Sequence, residues 1–138
     1  MIILKLITEK GGDIMAKTLD DLMKIKGVAA CGAWRPSSYG KRLEILGSRG
    51  DIPEEAGFMA SAFCEFDLFT ATTQCAVYEQ YTKHERFFPA EAIAIRGKEY
   101  SVLAVYSKKG DYMIGCFMRN ADKPNLWSLS EEMMEIEV

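Results

Sequence analysis

The chain has 138 residues, of which 49% are hydrophobic and 27% are charged, and its formal net charge is -3. This length and composition predict one globular domain with a sizeable core of its own. A small acidic charge gives no general attraction to nucleic acid or to an anionic membrane surface, so we expect neither as a partner.

The chain divides into an N-terminal extension, residues 1–14, and a single domain, residues 15–138. Met1–Thr8 is apolar but too short for a membrane span or a cleaved signal sequence, and would form an extra edge strand. A second interpretation starts from codons: Lys10–Ile14 can be encoded by a purine-rich ribosome-binding sequence, so that translation would naturally begin at Met15. Both interpretations remain open at this stage.

The domain opens with a short helix and a hairpin. Thr18 and Asp21 have the spacing of a capping box, and Gly27 is a typical residue for the end of the helix. Val28–Trp34 then has the small and apolar residues of a buried strand. After a turn rich in Pro, Ser and Gly, Arg42–Leu46 is predicted to be its hairpin partner.

The segment Asp51–His84 predicts one long helix, with Asp51 as N-cap and Glu54 completing a capping box. At 100° per residue, one broad and largely apolar stripe forms along it, and we expect this stripe to lie on the sheet. Its members are Met59, Ala62, Phe63, Phe66, Phe69, Thr70, Thr73, Ala76, Val77 and Tyr81.

A second and narrower stripe follows another face of the same helix. It consists of Ala60, Cys64, Leu68, Ala71, Cys75 and Tyr78. From Cys64 onward the spacing alternates between four and three, which is the spacing by which one helix packs along another. We expect a partner chain to cover this seam, and the alternative is a second layer of the same chain.

Three strands and a last helix complete the domain. Glu91–Arg96, Tyr100–Ser107 and Asp111–Met118 are joined by short turns and predict an antiparallel meander. Asn125–Ile136 places apolar side chains on one stripe and is predicted to be helical. The order is therefore helix, two strands, long helix, three strands, helix.

With this element order, and with Leu19–Gly32 (LDDLMKIKGVAACG) as its opening, the chain resembles the roadblock superfamily, specifically a prokaryotic branch of it. That superfamily is typified by the dynein roadblock light chains and by bacterial regulators of Ras-like GTPases. The resemblance implies an α/β (α+β) roadblock/profilin-like three-layer sandwich. Its five-stranded antiparallel sheet has the order 2-1-5-4-3, with the long helix on one face and two shorter helices on the other.

The resemblance also implies dimers in which the long helices pair and the sheet continues through the third strand. The predicted dimer interface is therefore Ala60, Cys64, Leu68, Ala71, Cys75, Tyr78, Glu91, Ala92, Ile93, Ala94 and Ile95. The function that follows is a non-enzymatic, cytoplasmic homodimeric adaptor or regulatory subunit. Its protein partner would be a small Ras-like GTPase or a component of a larger complex.

No catalytic, cofactor-binding or metal-binding residue is predicted. His84 is the only histidine, and Cys31, Cys64, Cys75 and Cys116 lack the spacing of a zinc site, so we expect reduced, buried thiols. A thiol-based redox protein that uses Cys64 and Cys75 is nevertheless one alternative function.

A small-molecule-sensing domain is the other alternative, because a sheet backed by helices can enclose a ligand. Aromatic residues are the candidates for lining such a pocket. They are Trp34, Tyr39, Phe87, Phe88 and Trp127.

Overall fold

A five-stranded antiparallel sheet lies at the centre of the computed structural model, which describes residues 15–37 and 42–138. Its elements are α1 (Leu19–Met23), β1 (Val28–Arg35), β2 (Glu44–Gly50), α2 (Glu54–Thr82), β3 (Ala92–Arg96), β4 (Tyr100–Tyr106), β5 (Met113–Arg119), a 3-10 turn (Asn120–Asp122) and α3 (Leu126–Met133). The strand order is β2-β1-β5-β4-β3, and every neighbouring pair is antiparallel. The predicted fold class and strand order are confirmed.

The larger core lies between the sheet and the two short helices. Leu22 of α1 and Met133 of α3 are fully buried there against Ile114 and Met118 of β5. The capping box predicted for α1 is present: Thr18 Oγ1 accepts from the N–H of Asp21, and the Asp21 carboxylate accepts from the N–H of Thr18. The two short helices therefore share one face of the sheet, as the roadblock resemblance implies.

A smaller core lies on the other face of the sheet, beneath α2. Trp34, Ala104 and Met113 rise from the sheet and meet Cys64 and Leu68 of the helix. Strand alternation separates the two cores, since Leu103 and Val105 point to the short helices while Ala104, between them, points to α2. The sheet is therefore covered on both faces, as in the predicted three-layer arrangement.

The start of α2 differs from the prediction. The helix begins at Glu54, its N-cap is Pro53, and no side chain caps it, so the capping box assigned to Asp51 and Glu54 is wrong. Pro53 keeps an extended backbone (φ -59, ψ 144), which places Asp51 too early in the chain to act as N-cap. The helix ends at Thr82, and Lys83 follows in the left-handed conformation, close to the predicted end.

Strand β2 is longer than predicted and runs to Gly50 instead of ending at Leu46. The residues after Leu46 continue to pair with β1, so that Ser48 lies opposite Gly32 and Gly50 opposite Ala30. Gly50 has φ +94, and a Cβ there would lie 2.7 Å from the carbonyl oxygen of Ala29, so this close approach requires glycine. The interpretations of residues 1–14 and of Tyr39 lie outside the described residues.

Candidate protein-interaction surface

One face of α2 carries a row of exposed, mostly aromatic side chains, here called the aromatic stripe. It consists of Met59, Phe63, Phe66, Phe69, Val77 and Tyr81. Phe63, Phe66 and Phe69 are exposed to 62%, 63% and 65%. The prediction that this face packs on the sheet is wrong. A patch of this kind on a folded protein is typical of an interaction surface.

The opposite face of α2 packs on the chain's own sheet. Only Ser61, Cys64 and Leu68 are buried among the 29 residues of the helix. Leu68 lies about 160° around the helix from Phe66. The side chains on this inner face are mostly small because Trp34 and Met113 of the sheet fill much of the space between the layers. The face that was predicted to meet a partner is therefore the face that closes the core.

Most of the α2 residues predicted as dimer contacts are therefore at least partly buried within the chain itself. Cys64 and Leu68 are buried within the chain, so their assignment to a partner surface is wrong. Ala71 and Cys75 are partly buried against the same small core. Ala60 is partly buried as well. Tyr78 is half-exposed, but its ring meets that of Phe87 edge to face at 5.9 Å.

The predicted strand contacts lie at the edge of the sheet, where β3 pairs with β4 on one side only. The N–H of Tyr106 donates to the carbonyl of Glu91 at 3.1 Å, and the N–H of Gly97 donates to the carbonyl of Tyr100 at 2.9 Å. In an antiparallel ladder the inward-bonding residues alternate, so Ile93 and Ile95 also bond to β4.

The residues between them therefore turn their backbone groups away from β4. Ala92, Ala94 and Arg96 present these N–H and C=O groups at the outer edge of the sheet. Within the described part of the chain, no strand pairs with that edge. Together with the half-exposed Ile95, this edge adds polar backbone groups to the apolar surface of α2.

Two carboxylates of α2, one near its middle and one near its C-terminal end, bond to other segments of the chain. The N–H and the hydroxyl of Ser37 both donate to the carboxylate of Glu65, at 3.2 and 2.8 Å, and so attach the end of β1 to the helix. Near the C-terminal end of the helix, Glu79 Oε2 accepts from the N–H groups of Phe87 and Phe88, at 2.9 and 2.7 Å. The helix is therefore tied to other segments of the chain near its middle and near its C-terminal end, while the aromatic stripe remains exposed.

The cysteines are free thiols in the described structure. Burial raises the pKa of Cys64 to about 11, and the nearby carboxylate of Asp67 adds to the increase, so the reactive thiolate is disfavoured. Cys64 and Cys75 are about 16 Å apart along α2, which is too far for a disulfide within the chain. These features count against the thiol-based alternative.

The other predicted functional residues are dispersed. Trp34 is buried under α2, whereas Trp127 on α3 is 79% exposed. Phe87 and Phe88 follow the C-terminal end of α2 and are partly exposed. Within the residues that the structure describes, no three His, Cys, Asp or Glu side chains are grouped in a way that could hold a metal ion. In the same part of the chain, no helix has the length and apolar character that a bilayer span requires.

Two of the solved structures with a similar fold are bacterial proteins. MglB of Myxococcus xanthus superposes with a TM-score of 0.62 at 10% sequence identity, covering 92% of this chain and 96% of that chain. The gliding protein MglB of Thermus thermophilus gives a TM-score of 0.59 at 7% identity, covering 84% of this chain and 82% of that chain. At these identities the likeness establishes the fold alone, and it confirms the roadblock-type resemblance.

Comparison of sequences gives a narrower result. No curated protein matches the chain. The sequence model of a family described as an uncharacterized conserved protein, DUF2173, matches residues 18–126. Because this match covers well over half of the chain, the protein is a member of the DUF2173 family with a roadblock-type fold.

Proposed function

We propose that the protein is a non-enzymatic homodimeric adaptor, in which the aromatic stripe of α2 and the outer edge of β3 pair two copies of the chain. The observation that carries this proposal is the exposure of the stripe. Phe63, Phe66 and Phe69 lie on the face of α2 that points away from the chain's own core. Burying them against a second copy would remove them from water.

A second copy fits both parts of this surface at once. Helix α2 lies against β3, so a two-fold axis beside β3 would bring two helices together while the two sheets join. Ala92, Ala94 and Arg96 would then find backbone partners across the axis. A two-fold contact of this kind is self-complementary and closes after two copies.

The apolar area is adequate for a stable dimer. Fully burying one large apolar side chain contributes about 1.5–3 kcal/mol, and the stripe offers six such side chains per copy. Even partial burial of both stripes would contribute roughly 10 kcal/mol or more before costs. That is comparable to the roughly 4–15 kcal/mol lost in translational and rotational freedom on association.

The adaptor role concerns the surfaces that remain free in such a dimer. The joined sheets and paired helices would present one extended platform to a protein partner. A small Ras-like GTPase is the partner class implied by the roadblock resemblance, and a component of a larger complex is the other. The fold shared with the gliding protein MglB supports this class at the level of architecture.

Sedimentation equilibrium tests the dimer. We expect the wild-type protein to have twice the chain mass of 15.5 kDa, and Phe66→Glu to be folded and monomeric, because a charge in the centre of the stripe cannot be buried without a partner. Trp127→Glu is the matched control, since it makes the same kind of change at an exposed aromatic residue of α3. A dimer that persists in Phe66→Glu would contradict the proposal.

The partner class requires a second measurement on the same proteins. Small Ras-like GTPases encoded by the source genome would be immobilised in their GDP-bound and GTP-analogue-bound forms. We expect one of them to bind the wild-type dimer with a preference for one nucleotide state, and to bind Phe66→Glu at least tenfold more weakly. Absence of binding by every such GTPase, with the dimer intact, would contradict the GTPase assignment.

A further inference from the structure

Two cysteines lie side by side on neighbouring strands in the middle of the sheet. Cys31 of β1 is directly opposite Cys116 of β5 in the register of the antiparallel pair. Both residues are 2% exposed and belong to the core that the sheet forms with α1 and α3, so both side chains point to the same face. This pair is distinct from Cys64 and Cys75, which lie on α2.

The spacing of the two strands suits a covalent link between these thiols. Residues directly opposite in an antiparallel pair have Cα atoms about 4.5–5.5 Å apart, and the exact value depends on whether the two residues are hydrogen-bonded to each other. A disulfide requires a Cα separation of about 4.4–6.8 Å. Cys31 and Cys116 therefore meet the distance requirement in either case, without any change of register.

The surroundings of Cys31 make it the more reactive of the two thiols. Hydrogen bonding with Cys116 lowers the pKa of Cys31, and the nearby charge of Arg49 acts in the same direction, whereas burial and the carboxylate of Asp20 oppose them. The pKa of Cys116 lies well above its usual value, because of the hydrogen bond with Cys31 and because of burial. Cys31 is therefore the thiol that ionises first, and the thiolate is the nucleophilic form.

The cover over Cys31 consists of peripheral elements. Its thiol donates to the carbonyl of Leu19 at 3.5 Å, and Leu19 belongs to α1, a helix of five residues. Arg49, opposite Cys31 on its other side, belongs to the edge strand β2 and bonds to Asp20 at 2.7 Å. Peripheral elements open locally at a lower free energy than the centre of a sheet. Local opening there would admit a water-sized oxidant to Cys31.

We propose that Cys31 and Cys116 are a site of oxidation by hydrogen peroxide, and that the product is a disulfide between β1 and β5. The Cys31 thiolate attacks one oxygen of the peroxide, the O–O bond breaks, and the departing hydroxide takes up a proton to become water. The sulfur of Cys116 then attacks the sulfenic acid on Cys31, the S–O bond breaks, and the oxygen leaves as water with the Cys116 proton. The two thiols thus lose two electrons, and the peroxide is reduced to two molecules of water.

The disulfide would close a long loop of the chain. Residues 31 and 116 enclose β2, α2, β3 and β4, so the helix that carries the aromatic stripe lies within the loop. A cross-link of this kind restricts the unfolded chain, and for a chain of this length we expect the melting temperature to rise by about 5 °C or more. The site does not depend on the proposed dimer, because both thiols lie on the face of the sheet away from α2.

Mass spectrometry of the folded, full-length protein tests the site. The variant Cys64→Ala/Cys75→Ala retains only the proposed pair of thiols. After incubation with excess hydrogen peroxide, we expect its intact mass to fall by the mass of two hydrogen atoms, and dithiothreitol to restore it. In the wild type, digestion without reduction should give one peptide pair cross-linked through Cys31 and Cys116. The wild-type digest decides the matter if the double variant does not fold.

Two further variants in the same background separate the roles of the two thiols. Cys116→Ala removes the second sulfur, so the oxidation of Cys31 should stop at the sulfenic acid, which dimedone traps. Cys31→Ala leaves the less acidic Cys116 alone and should give at least tenfold less dimedone adduct. If the two cysteines served only as small apolar residues of the core, the two variants would be labelled equally little.

Any of three results overturns the proposal. One is a folded Cys64→Ala/Cys75→Ala protein whose thiols both stay reduced after overnight exposure to excess peroxide. Another is a wild-type digest in which the oxidised cysteines are linked in any other pairing, within one chain or between two. The third is equal dimedone labelling of the two single-cysteine variants. Each result concerns bonds within one chain, so failure here is distinguishable from failure of the proposed dimer.

Discussion

Leu68 and Phe66 show at the residue scale how α2 divides its two roles. They are two positions apart, yet Leu68 is 0% exposed and Phe66 is 63% exposed. Leu68 fills the space between the helix and Trp34 and Met113 of the sheet. Leu68 therefore stabilises the single chain, whereas Phe66 adds stability only when another surface covers it.

We therefore predict that Leu68→Ala lowers the free energy of unfolding by about 2–5 kcal/mol, the usual cost of a cavity at a buried leucine. The measurement is urea unfolding in the Phe66→Glu background, which removes the contribution of any dimer. Phe69→Ala in that background is the control and should change the free energy by about 0.5 kcal/mol or less, because the side chain is already in water. A larger loss of stability in Phe69→Ala than in Leu68→Ala would show that Phe69, and not Leu68, packs in the core.

The two faces of α2 also show, at the element scale, what sequence periodicity can and cannot predict. Both stripes are visible in the sequence, as are the capping box of α1 at Thr18 and Asp21 and the strand order implied by the resemblance. The aromatic stripe was predicted to pack on the sheet and the narrower stripe to meet a partner. Both predictions were wrong, because the bulkier stripe was taken to be the core face. Periodicity measures apolar character along one helix and carries no information about the volume already supplied by the opposite layer.

That missing information lies in other elements. Trp34 and Met113 project from the sheet toward α2, and residues as small as Cys64 suffice to close the layer above them. The interaction surface could therefore have been located from one relation: the large side chains of β1 and β5 lie opposite the stripe of smaller residues on α2. That relation requires the sheet register, which the sequence alone does not provide.

Strand β3 allows a test of the sheet edge at the same scale. Ala94 turns its N–H outward, so Ala94→Pro should leave the β3–β4 ladder intact and weaken dimerisation at least tenfold by removing a donor at the edge. Ile93→Pro is the matched control, because it removes an N–H that bonds to β4 and should destabilise the fold itself. Sedimentation measures association and circular dichroism measures folding. Wild-type association by Ala94→Pro would exclude strand pairing at this edge.

At the scale of the whole molecule, the two faces of the sheet are covered unequally. The side of α1 and α3 holds a continuous core that includes Leu22, Ile114, Met133 and Ile136. The side of α2 holds a smaller core, an open cavity and an exposed apolar helix face. The chain thus has one side that is complete by itself and one that offers unfilled space and uncovered surface. The proposed dimer concerns the second side.

Pairing of two copies would make stability depend on protein concentration. If unfolding is coupled to dissociation, a hundredfold increase in concentration favours the folded dimer by about 2.7 kcal/mol. For two chains of 138 residues, each with an unfolding entropy of about 2.1 cal/mol/K per residue, this corresponds to a rise in melting temperature of roughly 5 °C. Calorimetry of the wild type from about 2 to 200 μM would measure it.

The same scans on two variants separate this effect from simple stabilisation of one chain. Trp127→Glu should show the wild-type dependence on concentration, because Trp127 lies on α3 and away from the aromatic stripe. Phe66→Glu should melt at one temperature throughout the range, because its unfolding is unimolecular. A melting temperature of the wild type that is independent of concentration, together with a monomeric mass, would mean that the exposed face of α2 awaits a different partner.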